Sequence, residues 1–199
     1  MAKKRSTRAR HDRWADWAVI GVFALALLLG WGVMAYAEGQ RETYTDEQAG
    51  LTVRYPQGWF VKSDEQMAFQ VQNSASGPFR TTYQVRVWPI DATAPLTPTL
   101  ASVLNDGSLS RAQEGTAYRL FDITEGQEAG GRPTMESSYV YVVEGNNVFV
   151  QHMPAVVEAL DVALARGDKA YVFSLLASEA VFEAAKPAFR RFVESAKFK

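Results

Sequence analysis

Residues 49–61 read AGLTVRYPQGWFV, and this stretch opens the folded part of the chain. Apolar and polar side chains alternate from Leu51 to Tyr55, which predicts a β-strand with one buried face. Proline presets one turn angle and glycine permits the next, so the Pro-Gln-Gly sequence at 56–58 predicts a tight turn. Trp59 is expected to fold back and cover the edge of a sheet. The stretch therefore predicts the first strand and first turn of a sheet-containing domain.

Further strands are predicted where apolar and polar residues alternate, at residues 67–73, 79–90 and 116–124. In the second of these, Tyr83 and Val85 lie on one face, so the face with Gln84 is expected in solvent.

Turn residues predict two hairpins, one around residues 144–147 and one around Arg166-Gly167-Asp168. Residues 156–164 fit helical spacing as well as alternation, and the Arg-Gly-Asp turn favours the hairpin.

Two helical regions are predicted. Thr97 can cap a short helix that frays near residues 105–107 or resumes weakly to Gln113, and Ser178 can cap the helix that ends the chain. Pro187 is expected to divide that last helix, because proline lacks an N–H and clashes with the preceding turn. Strands followed by a terminal helix predict an α+β fold with a central antiparallel sheet flanked by helices.

Residues 17–37 read WAVIGVFALALLLGWGVMAYA and carry no charge, which predicts a transmembrane helix. At about 1.5 Å of rise per residue this segment spans roughly 31 Å, close to the hydrocarbon thickness of a bilayer. Aromatic residues mark both predicted membrane interfaces, as such belts commonly do: Trp14, Trp17, Trp31 and Tyr36.

Basic residues set the predicted orientation of this segment. Six of the 21 Lys and Arg residues precede it, so residues 1–16 are expected to form a cytoplasmic tail. Residues 38–48 are expected to form a spacer that can join the first strand, and 49–199 an extracytoplasmic domain. From Glu38 onward 15 basic and 20 acidic side chains remain, a net charge of about −5, which does not suit a nucleic-acid binder.

An alternative is that the apolar segment is removed. Ala35-Tyr36-Ala37 matches the small-residue pattern of a signal peptidase site. The apolar segment is longer than the roughly 7–15 residues of a signal-peptide core, which favours a retained signal-anchor.

Three stretches resemble domains of the PsbP-like superfamily, which includes the extrinsic photosystem II subunit PsbP and DcrB-type bacterial lipoproteins. They are LTVRYPQGW at the start, KAYVFSLLAS before the last helix, and FRRFVESAKF at the end. The order of elements is similar from about Tyr44 to Phe198, and Ser195–Phe198 is similar to the family's closing signature.

This resemblance implies an α/β/α sandwich and a non-enzymatic role in binding and stabilising larger assemblies. It implies no catalytic residues, cofactor or metal ligands that can be placed on this chain. The predicted membrane anchor departs from plant PsbP, which is released into the lumen, and this departure argues against a photosystem role.

Few residues suggest chemistry. The chain has no cysteine, and His152 is the one histidine of the predicted extracytoplasmic domain, without a motif-spaced partner. Metalloprotease, nucleophile-elbow, phosphate-loop, dinucleotide and EF-hand motifs are all missing. We therefore predict no catalytic, cofactor-binding or metal site.

The preferred function is a non-catalytic accessory protein of the cell membrane. It is held in the lipid bilayer and docks on a membrane protein complex, with loops 73–78 and 125–133 as docking elements. An alternative is a module that binds a small ligand or lipid. A hydrolase whose residues meet only in the fold is a further alternative. Four aromatic residues are predicted to line the docking surface or groove: Trp59, Tyr83, Trp88 and Tyr118.

Overall fold

The computed structural model describes residues 17–30, 32, 40–62, 67–75, 79–114, 116–126, 129, 131–143 and 154–199. The helices are α1 (residues 17–30), α2 (Leu96–Glu114) and α3 (Glu179–Glu194). The strands are β1 (Arg41–Asp46), β2 (Leu51–Pro56), β3 (Phe60–Val61), β4 (Phe69–Gln72), β5 (Thr82–Pro89), β6 (Thr116–Glu125), β7 (Met135–Val143), β8 (Ala155–Arg166), β9 (Lys169–Ser178) and β10 (Lys197–Phe198).

The chain divides into two compact units, with the boundary between Arg41 and Glu42. The first contains α1, whose apolar side chains are exposed. Across the part of the chain that the structure describes, no helix is long and apolar enough to cross a bilayer. Residues 31 and 33–37 of the predicted span lie outside that part, so the transmembrane helix stays a prediction.

The second unit is built on a seven-stranded antiparallel sheet in the order β3-β4-β5-β9-β8-β7-β6. The two longest neighbours, β8 and β9, form the hairpin predicted at Arg166-Gly167-Asp168. Gly167 has φ of +60° in the turn, a left-handed conformation that glycine adopts without a steric penalty. The predicted α+β fold with a central antiparallel sheet is confirmed.

The opening stretch forms part of a second, three-stranded sheet in the order β1-β2-β10. Residues 41–46, inside the predicted spacer, form β1, which pairs with β2, and Tyr44 packs on Phe69 with ring centroids 4.8 Å apart. The predicted turn follows β2, and Gly58 has φ of +80° there. Tyr171 Oη donates to the Ala49 carbonyl at 2.7 Å and so joins the large sheet to the small one.

Helix α3 covers one face of the large sheet, here named the α3 face. Its buried side chains Phe189 and Phe192 pack against Tyr83 and Phe173 of the central strands. The expected break at Pro187 is wrong, since α3 continues through it. The apolar stripe holds both halves of the helix on the sheet. Ser178 is the N-cap residue, but its side chain makes no capping hydrogen bond.

Helix α2 packs on the opposite face, here named the α2 face. Leu100, Val103 and Leu104 contact a small core that includes Ala163 and Val172. Of the two expectations for this helix, fraying near residues 105–107 is wrong and continuation to about Gln113 is correct, because the helix is continuous to Glu114. The solvated face expected for β5 is also wrong. Thr82 and Gln84 are buried because both faces of the central strands are covered.

Candidate functional site

The α2 face holds a buried ion pair. Asp161 of β8 is 1% exposed, and the Arg111 guanidinium near the end of α2 donates to its carboxylate. Arg111 Nη2 also donates to Ser174 Oγ at 3.1 Å, and the guanidinium carbon lies 4.9 Å from the centre of the Tyr139 ring. Tyr139 Oη donates to the other carboxylate oxygen at 3.3 Å. Both charges thus have partners within the protein, and the pair joins α2 to the sheet.

The electrostatics favour the charged form of Arg111 and the protonated forms of two nearby tyrosines. Burial alone lowers the pKa of Arg111, but the Asp161 carboxylate raises it, and the net result lies above the ordinary value. Burial, then Asp161, raises the pKa of Tyr139 well above its usual range. Burial raises the pKa of Tyr141 to about 12. At neutral pH both hydroxyls therefore stay protonated, and that of Tyr139 donates to Asp161.

A polar row crosses the same face. Residues directly opposite one another in neighbouring strands share a face, and the pairing places one buried polar residue in each of five strands. In spatial order from β4 to β7 these are Gln70, Gln84, Ser174, Asp161 and Ser137.

Within the described part of the chain, two buried polar atoms on the α2 face have no hydrogen-bond partner. They are Gln70 Oε1 and Arg86 Nε, both inaccessible to solvent. Gln70 is 6% exposed. Gln84 lies directly opposite Gln70 in the sheet, and Arg86 is two residues further along the same strand as Gln84. A buried polar atom without a partner is costly, so this region differs from the satisfied network around Asp161.

Among the described residues, the α3 face carries an apolar surface that neither α2 nor α3 covers. The core under α3 contains no described residue of β6 or β7, because α3 packs mainly on β8, β9 and β2. Beyond it, Phe121 is 57% exposed and Val156 is 42% exposed, while Val140 and Val142 are half-buried. Val142 pairs directly with Val156, and Val140 is two residues from Val142 on the same face. We call these four residues the valine surface.

An acidic cluster borders the valine surface. Glu158 lies directly opposite Val140 in the sheet, and Glu179 and Glu183 lie on the first turns of α3. Burial, then the charges of Glu179 and Glu183, raises the pKa of Glu158, and Lys186 lowers it. Val157 pairs directly with Ser178, which places Glu179 beside Val156 and Glu158, so like charges border the apolar surface.

A polar pocket of about 380 Å³ opens at the far end of β8, between the β1–β2 turn and the β8–β9 turn. Its charged lining residues are mixed in sign and therefore favour neither an anion nor a cation: Glu47, Arg166, Asp168, Lys169 and Lys199. We assign it no ligand.

The four predicted groove aromatics do not form one groove. Trp59 and Tyr83 pack together on the α3 face, with ring centroids 4.6 Å apart. Trp88 packs against the core under α2, and Tyr118 lies in a third cluster with Tyr139. Tyr118 and Ser108 share a hydrogen bond of 2.8 Å. A docking role for these aromatics stays a prediction.

Several predicted residues lie outside the described part of the chain. These are Trp14, Trp31, Tyr36, His152 and the turn at 144–147. Trp17, the remaining predicted interface residue, is exposed at the start of α1. Among the described residues, no group of three or more His, Asp or Glu side chains is placed to hold a metal ion.

The valine surface and the acidic cluster were not identified from the sequence. The sequence signal for the valine surface was the alternation in MESSYVYVV, the sequence of β7, because successive side chains of a strand lie on opposite faces of the sheet. Alternation shows that Val140 and Val142 share a face. It does not show that α3 leaves this face uncovered.

Comparison with known proteins supports the fold. No protein-family model matches the chain, and no curated protein matches it. Cyanobacterial PsbP (CyanoP) from Synechocystis sp. PCC 6803 matches with a TM-score of 0.58 at 15% identity, over 80% of this chain and 92% of that chain. The Saccharomyces cerevisiae Ran-binding protein Mog1p matches with a TM-score of 0.50 at 12% identity, over 80% of this chain and 95% of that chain.

LpqN of Mycobacterium tuberculosis, involved in cell envelope biogenesis, matches with a TM-score of 0.49 at 11% identity, over 80% of this chain and 91% of that chain. At these identities the first two likenesses establish the fold alone. The fold is PsbP-like, as the resemblance in the sequence implied.

Proposed function

We propose that this chain is a membrane-tethered, non-catalytic accessory protein that docks on a larger membrane protein complex through the valine surface. The observation that carries the proposal is the part of the α3 face that no described helix covers, where Val140, Val142 and Val156 are neighbours and Phe121 is exposed on the adjacent strand β6. An apolar surface bordered by charged residues is typical of a protein-binding site.

The apolar side chains of the valine surface are neighbours on one face of the sheet, not isolated exposed residues. Tyr139 and Tyr141 alternate with these valines and pack into the clusters on the α2 face. The same strand therefore has one covered face and one that α3 does not reach. A partner that packs on the second face would remove further apolar area from water, and each Å² contributes roughly 25 cal/mol before the costs of association.

The tether follows from residues 17–37. The described helix α1 exposes apolar side chains that water would not favour, such as Val22, Phe23 and Leu28. A retained anchor places the domain outside the cytoplasm, since the basic tail favours the cytoplasmic side. Confinement to the membrane raises the local concentration of the domain near membrane proteins, so weak contacts become occupied.

The buried ionisable groups support a non-catalytic role. Arg111 and Asp161 each use their hydrogen-bonding atoms on one another and on Ser174 and Tyr139. A catalytic group needs an atom free to face a substrate, and this network satisfies its members internally.

The docking function is tested by purifying the tagged full-length protein from membranes in a mild detergent. Companions of the wild-type protein are identified by mass spectrometry. We expect Phe121→Ser combined with Val156→Thr to lose the companions, because both changes make the valine surface polar.

Leu109→Ser is the matched control. Leu109 is also 57% exposed, but it lies on α2, across the sheet from the valine surface. If the wild-type protein purifies alone in every detergent, or if the double variant keeps its companions, the docking function is wrong.

A further inference from the structure

We propose that the partner segment on the valine surface is basic and amphipathic, with apolar side chains on the valines and Lys or Arg side chains on the acidic cluster. This inference rests on the proposed docking function and adds the chemistry of the partner.

The acidic cluster and the valine surface form one continuous face. Glu158 is the direct cross-strand neighbour of Val140 and lies two residues from Val156, so all three side chains point to the same side of the sheet. Directly opposite residues have Cβ atoms roughly 4.5–5.5 Å apart. A segment that covers the valines therefore also reaches the carboxylate of Glu158.

Among the described residues, few cations lie beside the acidic cluster. Arg119 lies directly opposite Val140 on the side away from Glu158, and its guanidinium carbon is 5.7 Å from the centre of the Phe121 ring, so this cation borders the apolar part of the surface. Lys186 is the described cation that lowers the pKa of Glu158, and it is already paired with Glu183 on the same helix. Glu158 and Glu179 form no ion pair within the described part of the chain. A cation supplied by a partner would relieve the repulsion between these carboxylates as the surface is covered.

The same charge disfavours other occupants. An acidic segment would add like charge beside Glu158 and Glu179, and an anionic membrane surface attracts basic rather than acidic patches. A purely apolar segment would cover the valines but leave the carboxylates partly desolvated without a counter-charge. A basic amphipathic segment satisfies both halves of the face.

The test uses site-specific photo-crosslinking of the full-length protein in native membranes. The photoreactive amino acid p-benzoylphenylalanine replaces Val156 in one variant and Leu109 in a control variant. The crosslinked segment is identified by mass spectrometry. We expect an adduct at position 156 that is absent at position 109, formed with a protein segment that carries Lys or Arg next to apolar residues.

A charge variant then tests the acidic cluster. We expect Glu158→Gln combined with Glu179→Gln to lower the adduct yield by about threefold or more, and high salt to lower it similarly. Glu47→Gln combined with Asp106→Asn changes the net charge equally at exposed positions on other surfaces, and we expect it to leave the yield unchanged.

The outcomes separate this inference from the docking function. An adduct at position 156 with an acidic or uncharged segment, or a yield that the charge variant does not change, overturns the basic partner alone. If position 156 gives no adduct beyond position 109, or crosslinks only to lipid or to a second copy of the chain, docking on a larger complex is wrong as well.

Discussion

At the scale of single residues, Asp161 and Arg111 show how a charge comes to be buried in a domain without catalytic motifs. Each satisfies the other, and Ser174 and Tyr139 complete their hydrogen bonds. Such a pair contributes little relative to apolar residues of the same volume, but removing one partner leaves an uncompensated charge in the interior. The pair therefore makes the position of α2 on the sheet specific.

We expect Asp161→Asn to lower the free energy of unfolding by about 3–5 kcal/mol, because the Arg111 charge stays buried without its carboxylate. Chemical denaturation followed by circular dichroism measures this loss. Replacing both residues, as Arg111→Met with Asp161→Leu, should restore most of the stability. Glu183→Gln is the control, since the exposed Lys186–Glu183 pair contributes about 1 kcal/mol or less. An Asp161→Asn variant as stable as this control would contradict the role of the pair.

At the scale of elements, α3 decides which surface is available. Its 16 residues span roughly 24 Å, enough to cover the middle of the sheet but not the β6–β7 edge. The aromatic stripe of α3 holds it over β8 and β9, and the Arg190–Glu136 ion pair ties it to β7. The uncovered surface thus follows from the length and placement of one helix.

Pro187 is the weak point of this helix. It is exposed and lies inside α3, where it leaves one backbone carbonyl of the preceding turn without its helical donor. We expect Pro187→Ala to raise the free energy of unfolding by up to about 3 kcal/mol, since alanine restores that donor and has the highest helix propensity. Thermal unfolding measures the change. An unchanged or lower stability would mean that the sheet requires the proline geometry.

At the scale of the whole molecule, the proposed function depends on the membrane anchor. We expect the mature protein to keep residues 1–37 and to stay in the membrane pellet after an alkaline carbonate wash, because 21 uncharged residues match the thickness of a bilayer. Intact-mass measurement and fractionation check this. If the mature protein begins at Glu38 and is found in the soluble fraction, the protein is released and the proposed tether is wrong.

Much of the architecture was predictable because strands and hairpins have local causes. Alternation in LTVRYP and the Gly167 turn each depend on residues close in sequence, and both predictions hold in the structure. The helix break expected at Pro187 is absent, and α2 has the longer of its two expected lengths, because packing on the sheet outweighs local propensity.

The candidate site was not predictable in the same way. Alternation in β7 shows which valines share a face, but their exposure depends on how far α3 extends across strands that are distant in sequence. The acidic cluster likewise contains residues of β8 and of the start of α3, which come together only when the chain folds. Backbone patterns are short-range and so are readable from the chain, whereas coverage of a face is a long-range property of packing. For that reason, the fold followed from local signals and the docking surface required the assembled domain.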